Sequence, residues 1–250
     1  MGIKRKYDYS YYLLTQESKA SGWWDYVIRN RITRLVAYYF INFTDIAPNS
    51  VSLLSFLIST LGGAFFIFGN HWGMVIGALS FELGQILDGV DGLIARIKNM
   101  STPLGAYMDF FLDRIRNVLV MIYIGIGQFL KEDQISIFML LFLYIGIKKV
   151  YLVSYIYQEK ILKDFGFESQ KGKEVLLNKT DKKRALSRYI LFMEKQKISP
   201  YYTDLDTDFL VFVLFPIINM TYRGLIVGSF LLLILVLLIN LFFFKAISNK

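Results

Sequence analysis

Cysteine is absent from this chain, and histidine occurs once, at His71. The first absence excludes disulfides, thiolate-bound metals and thiol catalysis. The second leaves almost no material for imidazole-based metal sites or general bases. Charge is also sparse for the length. Asp, Glu, Lys and Arg make up 19% of 250 residues, whereas apolar side chains make up 55% and aromatics 17%. A soluble domain of this size carries more charge and less apolar surface. The composition therefore predicts one all-α membrane domain, with no room for a second large one. The formal net charge of +8 fits basic loops on one side of a bilayer and calls for no nucleic acid. An N-terminal targeting peptide is not expected, because the first ~30 residues contain no apolar run of the kind a signal sequence needs.

Apolar stretches about 20 residues long mark spanning helices. Six are predicted, over residues 49–68, 72–95, 104–129, 135–157, 209–220 and 225–244. The fifth is short and contains Pro216. The segments between them alternate in charge. Basic residues crowd the N-terminal segment (Lys4, Arg5, Lys6, Lys19, Arg29, Arg31, Arg34), the turn with Arg96 and Lys98, and a long connection over residues 158–207. The remaining turns carry little. This pattern predicts six spans with both ends cytoplasmic. Residues 1–47 are read as a cytoplasmic segment. Within it, apolar positions between Trp23 and Phe43 recur at three- and four-residue steps among arginines. That is the pattern of an amphipathic helix lying on the inner leaflet. Residues 48–250 form the spanning domain. A second amphipathic helix is expected over Ala185–Met193.

Four aspartates interrupt the second and third spans. Asp88 and Asp91 stand three residues apart, Asp109 and Asp113 four apart, so each pair shares one face of its helix. The short link between the spans makes them an antiparallel pair. At about 1.5 Å per residue, Asp88 lies level with Asp113, and all four carboxylates converge in the inner leaflet. A lone aspartate at bilayer depth costs roughly 2.5–3.5 kcal/mol on insertion scales. Divalent cations remove both that cost and the mutual repulsion. An all-oxygen donor set without His or Cys suits Mg²⁺, Mn²⁺ or Ca²⁺. Four carboxylates match two such ions in formal charge, an arrangement suited to phosphoryl chemistry. Gly92 and Gly105 flank the carboxylates and leave room beside the backbone, and Arg96 stands at the cytoplasmic mouth. Lys148 and Lys149 interrupt the fourth span. With Arg114 and Arg116 they are read as a phosphate pocket, against the alternative that they pair with the aspartates. Capping of the fifth span is expected from Asp204, Asp206 and Asp208.

These residues spell D-x-x-D-G-x-x-A-R, eight further residues, then G-x-x-x-D-x-x-x-D. The pattern resembles the signature of the CDP-alcohol phosphatidyltransferase family. The resemblance implies that a CDP-alcohol donates its phosphoryl-alcohol group to an acceptor hydroxyl, plain or phosphorylated, with release of CMP. It implies Asp88, Asp91 and Asp109 as ligands of two Mg²⁺ or Mn²⁺ ions. It makes Asp113 both a ligand and the base for the acceptor. Asn49, Gly92, Ala95, Arg96 and Gly105 would line the nucleotide site, although Pro48-Asn49 also reads as a plain helix start. Homodimers, and a prokaryotic plasma membrane with the site facing the cytoplasm, are the further expectations. Arg31-Ile32-Thr33-Arg34, Ile86–Gly92 and Asp113-Arg114 are similar to the di-myo-inositol phosphate phosphate synthase branch. Leu93 departs from that branch, where an acidic residue is common, and so does the long connection before the fifth span. Donors such as CDP-diacylglycerol or CDP-inositol therefore stay open. A divalent-cation transporter using the same carboxylates is the rival reading.

Overall fold

A computed structural model describes residues 22–132, 135–164 and 202–248. Most of the basic connection, including Ala185–Met193, lies outside the described residues. So do the first basic cluster at Lys4, Arg5 and Lys6, and Lys19. Among the described residues all regular structure is helical. A π turn (Asp25–Arg29) leads into α1 (Asn30–Phe43). Helix α2 (Pro48–Gly63) is prolonged by a 3₁₀ turn (Ala64–Phe68). Then come α3 (His71–Ile97), α4 (Pro103–Glu132) and α5 (Ser136–Asp164). Helix α6 (Asp204–Phe209) continues through a π turn (Leu210–Leu214) and one last helical turn (Phe215–Ile217). Helix α7 (Thr221–Ser248) ends the described chain.

Among the described residues, four segments are long and apolar enough to cross a membrane: Pro48–Phe68, His71–Ile97, Ser136–Gln158 and Thr221–Leu241. They match the first, second, fourth and sixth spans read from the sequence. The third corresponds to α4, which has the length but carries Asp109, Asp113, Arg114 and Arg116 in its first half. The fifth corresponds to the short α6 and its continuation.

Local sequence sets the ends. Asn70 caps α3 by accepting from Gly73 N at 2.7 Å. Asn99 (φ 54°) and Asn219 (φ 57°) adopt the left-handed conformation just past α3 and past the turn before α7. In each case two amides fold back on the last carbonyls: Met100 N to Ala95 O at 2.8 Å and Asn99 N to Arg96 O at 3.2 Å after α3, and the same pair of bonds from Met220 and Asn219. Asparagine tolerates this helix-ending geometry better than most residues. Thr203 and Asp206 cap α6 reciprocally, so the capping expected there falls to Asp206.

The main core gathers Phe66, Phe81, Val120, Ile124, Tyr144, Phe212 and Leu225, all fully buried. Helices α2 and α3 approach so closely that a Cβ on Gly84 would lie 1.6 Å from Ser59 Oγ, the kind of contact small residues permit between spanning helices. A second cluster, with Ala37, Ile41, Val51, Val90 and Ile94, joins α1 and α2 to the last turns of α3.

Helix α1 runs beside α3 in the same direction. Arg29 meets Glu82, Thr33 donates to Ile86 O at 3.4 Å, and Lys98 donates to Thr44 O at 3.2 Å. Its opposite side presents Ile32, Leu35, Tyr39 and Phe43, each about half exposed. The helix is therefore apolar on two sides, one packed on α3 and one open.

Candidate active site

The motif segments occupy the end of α3 and the first half of α4, held antiparallel by the Asn99 turn. Carboxylate oxygens of Asp88, Asp91 and Asp109 lie within 4.8 Å of one another. The convergence expected from helical spacing thus holds for three of the four aspartates. Asp91 is buried and accepts a hydrogen bond from Ser52 Oγ on α2. Asp113 stands outside this triad and pairs with Arg116 one turn along α4. Arg116 also reaches Asp88 at 3.4 Å, which puts Asp88 and Asp113 level across the helix pair.

Of the residues expected at a nucleotide site, two pairs lie close together. Asn49 sits beside Gly105, where an added Cβ would be 3.1 Å from Asn49 Oδ1. Gly105 N donates to Thr102 Oγ1 at 3.0 Å. The Arg96 guanidinium folds over Gly92, with Nη1 3.3 Å from where a Cβ would stand. Ala95 is half-buried in the last turn of α3.

A cavity of about 260 Å³ opens between α4, α5 and α6. Asp113 is the motif aspartate on its wall. Gln85, Arg114, Asn117, Lys148, Lys149, Asp204 and Asp208 are its other polar lining residues, and the remainder of the wall is apolar, with Val118, Met121 and Leu152 among it. Three of the four cations expected to form a phosphate pocket line this cavity, together with three aspartates. Arg114, Lys148 and Lys149 share the cavity, and the Arg114 guanidinium stacks 4.5 Å over the Phe110 ring. Arg116 does not join them. It is 2% exposed and turned to the carboxylates. Lys148 is committed too, with Nζ 2.5 Å from both oxygens of Asp208. Pairing with the motif aspartates therefore describes Arg116, whereas Lys148 pairs with Asp208, outside the motif.

A second polar network was not singled out by sequence. Arg29 donates to Glu82 Oε1 and Oε2 at 3.0 and 2.9 Å and to Asp25 at 2.5 Å. Trp24 donates through Nε1 to Glu82 and through its backbone amide to Asp206, and its ring stacks on Phe209 at 3.5 Å. The signal lay in Glu82, an ionisable residue well inside a span. Burial, opposed by the Arg29 guanidinium, pushes the Asp25 carboxyl up to about 6.

Three converging carboxylates form an all-oxygen donor set, which fits a hard divalent cation. A membrane-helix hairpin that presents such a set beside a cavity lined by cations, aspartates and apolar side chains has the ingredients of a phosphoryl-transfer site. The chain belongs to the CDP-alcohol phosphatidyltransferase family, whose pattern matches residues 45–180, more than half of its length. It is similar to the bifunctional IPC transferase and DIPP synthase of Archaeoglobus fulgidus, 31% identical over 157 residues, which is 63% of this chain and 29% of that protein. It is similar to the protein of the same description from Rubrobacter xylanophilus, 36% identical over 84 residues, 34% of this chain and 19% of that one. The archaetidylinositol phosphate synthase of Pyrococcus horikoshii is 26% identical over 88 residues, 35% of this chain and 45% of that protein. The chain thus matches under half of the length of each of these relatives.

Proposed function

We propose that this chain transfers a phosphoryl-alcohol group from a CDP-alcohol to an acceptor hydroxyl and releases CMP. The observation that carries the reading is the position of Asp113. It belongs to the motif and also stands on the wall of the cavity. An acceptor there places its hydroxyl against the Asp113 carboxylate, which takes the proton as the oxygen attacks the β-phosphorus of the donor. The new bond is P–O to the acceptor. The bond that breaks is P–O to the CMP phosphate, which leaves with the electron pair. Asp88, Asp91 and Asp109 would hold Mg²⁺ or Mn²⁺, which when bound polarises the diphosphate and stabilises the leaving CMP. A second ion would have to draw on Asp113 as well. Asn49, Gly92, Ala95, Arg96 and Gly105 hold the nucleotide along the open edge of the helix pair.

Arg114 and Lys149 suit a phosphorylated acceptor, with inositol phosphate or glycerol phosphate as the chemical type. The relative named as an archaetidylinositol phosphate synthase supports that choice. The donor is CDP-diacylglycerol or a soluble CDP-alcohol such as CDP-inositol. The enzyme works as an integral protein of a prokaryotic plasma membrane, as a homodimer, with its site toward the cytoplasm. The basic residues around Arg96 and Lys98 support that orientation. The spanning domain runs from residue 48 to 250 with six spans, α4 and α6 included. The open row Ile32, Leu35, Tyr39 and Phe43 of α1 meets lipid at the inner leaflet.

The test is CMP release by purified protein from a panel of CDP-alcohols in Mg²⁺. Release by the native chain, lost in the double variant Asp109→Asn and Asp113→Asn, supports the reading. Undiminished release by that variant overturns it, and Mn²⁺ uptake by proteoliposomes without nucleotide favours a transporter.

A further inference from the structure

Four motif aspartates occupy the helix pair, yet they do not act alike. Three converge, and the fourth is turned toward the cavity. The side chain that separates them is Arg116. Its guanidinium is 2% exposed and makes three contacts. Nη2 donates to Asp113 Oδ1, Nη1 donates to Ser55 Oγ at 3.0 Å, and Nη1 lies 3.4 Å from Asp88 Oδ1. Ser55 in turn donates to Gly84 O at 2.9 Å. The hydroxyl proton is thus committed to the α3 backbone, and its lone pairs face Arg116. The chain of contacts ties Asp113 to the α2–α3 crossing, the most closely packed point of the fold.

We infer that Arg116 is a positioning residue that holds Asp113 on the cavity wall, outside the Asp88–Asp91–Asp109 triad. This rests on the functional reading above and gives that site a residue outside the signature. Arginine suits the task for two reasons. Its fork reaches two oxygens and a hydroxyl at once, which a single ammonium cannot do in this geometry, and it stays charged at every working pH. A fixed cation beside the triad also opposes the binding of a second positive charge there. Arg116 therefore weakens divalent binding while it orients the base. A purely structural role does not combine those two effects.

The test compares Mn²⁺ binding, read from the EPR signal of free Mn²⁺ without nucleotide, with the rate of CMP release. In Arg116→Gln, Mn²⁺ is expected to bind about tenfold tighter because a buried like charge is gone, while kcat falls at least about tenfold as Asp113 loses its fixed orientation. In Arg116→Lys the charge remains, so Mn²⁺ affinity stays close to that of the native protein while kcat is still reduced. Weaker or unchanged Mn²⁺ binding in Arg116→Gln overturns the inference, and so does an unchanged kcat. If Arg116→Gln does not fold, Ser55→Ala removes the anchor alone. A lowered kcat with unaltered Mn²⁺ affinity is then expected, and an unaltered kcat overturns the inference. A native protein that releases no CMP from any CDP-alcohol defeats the functional reading instead, and the Mn²⁺ comparison still decides the role of Arg116.

Discussion

Lys148 on α5 points its ammonium at Asp208 on α6, 2.5 Å from each carboxylate oxygen, and Tyr144 donates to the same carboxylate at 2.9 Å. Asp208 is buried, and the pair closes one side of the cavity. Removing one partner of a buried pair leaves an uncompensated charge, at a cost of about 3–5 kcal/mol. Asp208→Asn is therefore expected to lower the thermal midpoint of the detergent-solubilised protein markedly. Asp208→Leu combined with Lys148→Met is expected to lower it less. A single variant as stable as the native chain would contradict the pairing.

Asp25 gives a pH dependence with a definite sign. Its folded pKa, pushed up to about 6, lies above its ordinary value of 3.8. Between those values the folded chain keeps a proton that the unfolded chain has lost, so stability falls as pH rises from about 4 to about 6 and then levels off. Asp25→Asn lacks that proton exchange. The difference in thermal midpoint between variant and native protein is expected to shift in favour of the variant over the same window. A difference that does not change with pH would remove Asp25 from the account.

Ser52 holds Asp91, and Asp91 belongs to the triad. Asp91→Asn is expected to reduce CMP release by at least about a hundredfold through lost cation binding. Ser52→Ala removes only the supporting hydrogen bond, and a loss of about ten- to a hundredfold is expected in Mn²⁺ affinity or activity. Steady-state rates at several Mn²⁺ concentrations separate the two. A Ser52→Ala variant with native behaviour would show that the hydrogen bond orients nothing.

Close packing of α2 on α3 predicts that Gly84→Ala is destabilising by about 1–3 kcal/mol, because the new methyl meets Ser59 Oγ and the helices must separate. Gly146 on α5 is the control. A Cβ there has no neighbour within 4 Å, so Gly146→Ala is expected to be neutral or mildly stabilising. Equal effects at the two positions, read as thermal midpoints, would contradict the crossing.

How much of this was legible beforehand follows from what each residue depends on. The convergence of Asp88, Asp91 and Asp109 could be read because helical spacing and a short link fix both face and depth, whereas Asp113 is held by Arg116 outside that triad. The fate of Lys148 and Arg116 could not, because it depends on which helix packs beside them. Asp208 lies 60 residues from Lys148, and Ser55 lies 61 from Arg116. The N-terminal segment reads as a membrane-surface helix because apolar positions between Trp23 and Phe43 recur at three- and four-residue steps among arginines. That pattern does not reveal that one side of the segment packs along α3, where Arg29 meets Glu82. The helix stops at Asn99 and Asn219 were readable in principle from asparagine alone, since that side chain tolerates positive φ.

The central claim is that cations gathered by Asp88, Asp91 and Asp109 hold a cytidine diphosphate. Its most direct test is equilibrium binding of CDP to the purified chain, with Mn²⁺ present and after chelation, in the native protein and in Asp109→Asn. The expected result is tight binding that collapses by at least about a hundredfold on chelation and is weak in the variant under both conditions. CDP binding equally strong without the cation, or undiminished in Asp109→Asn, would contradict the claim.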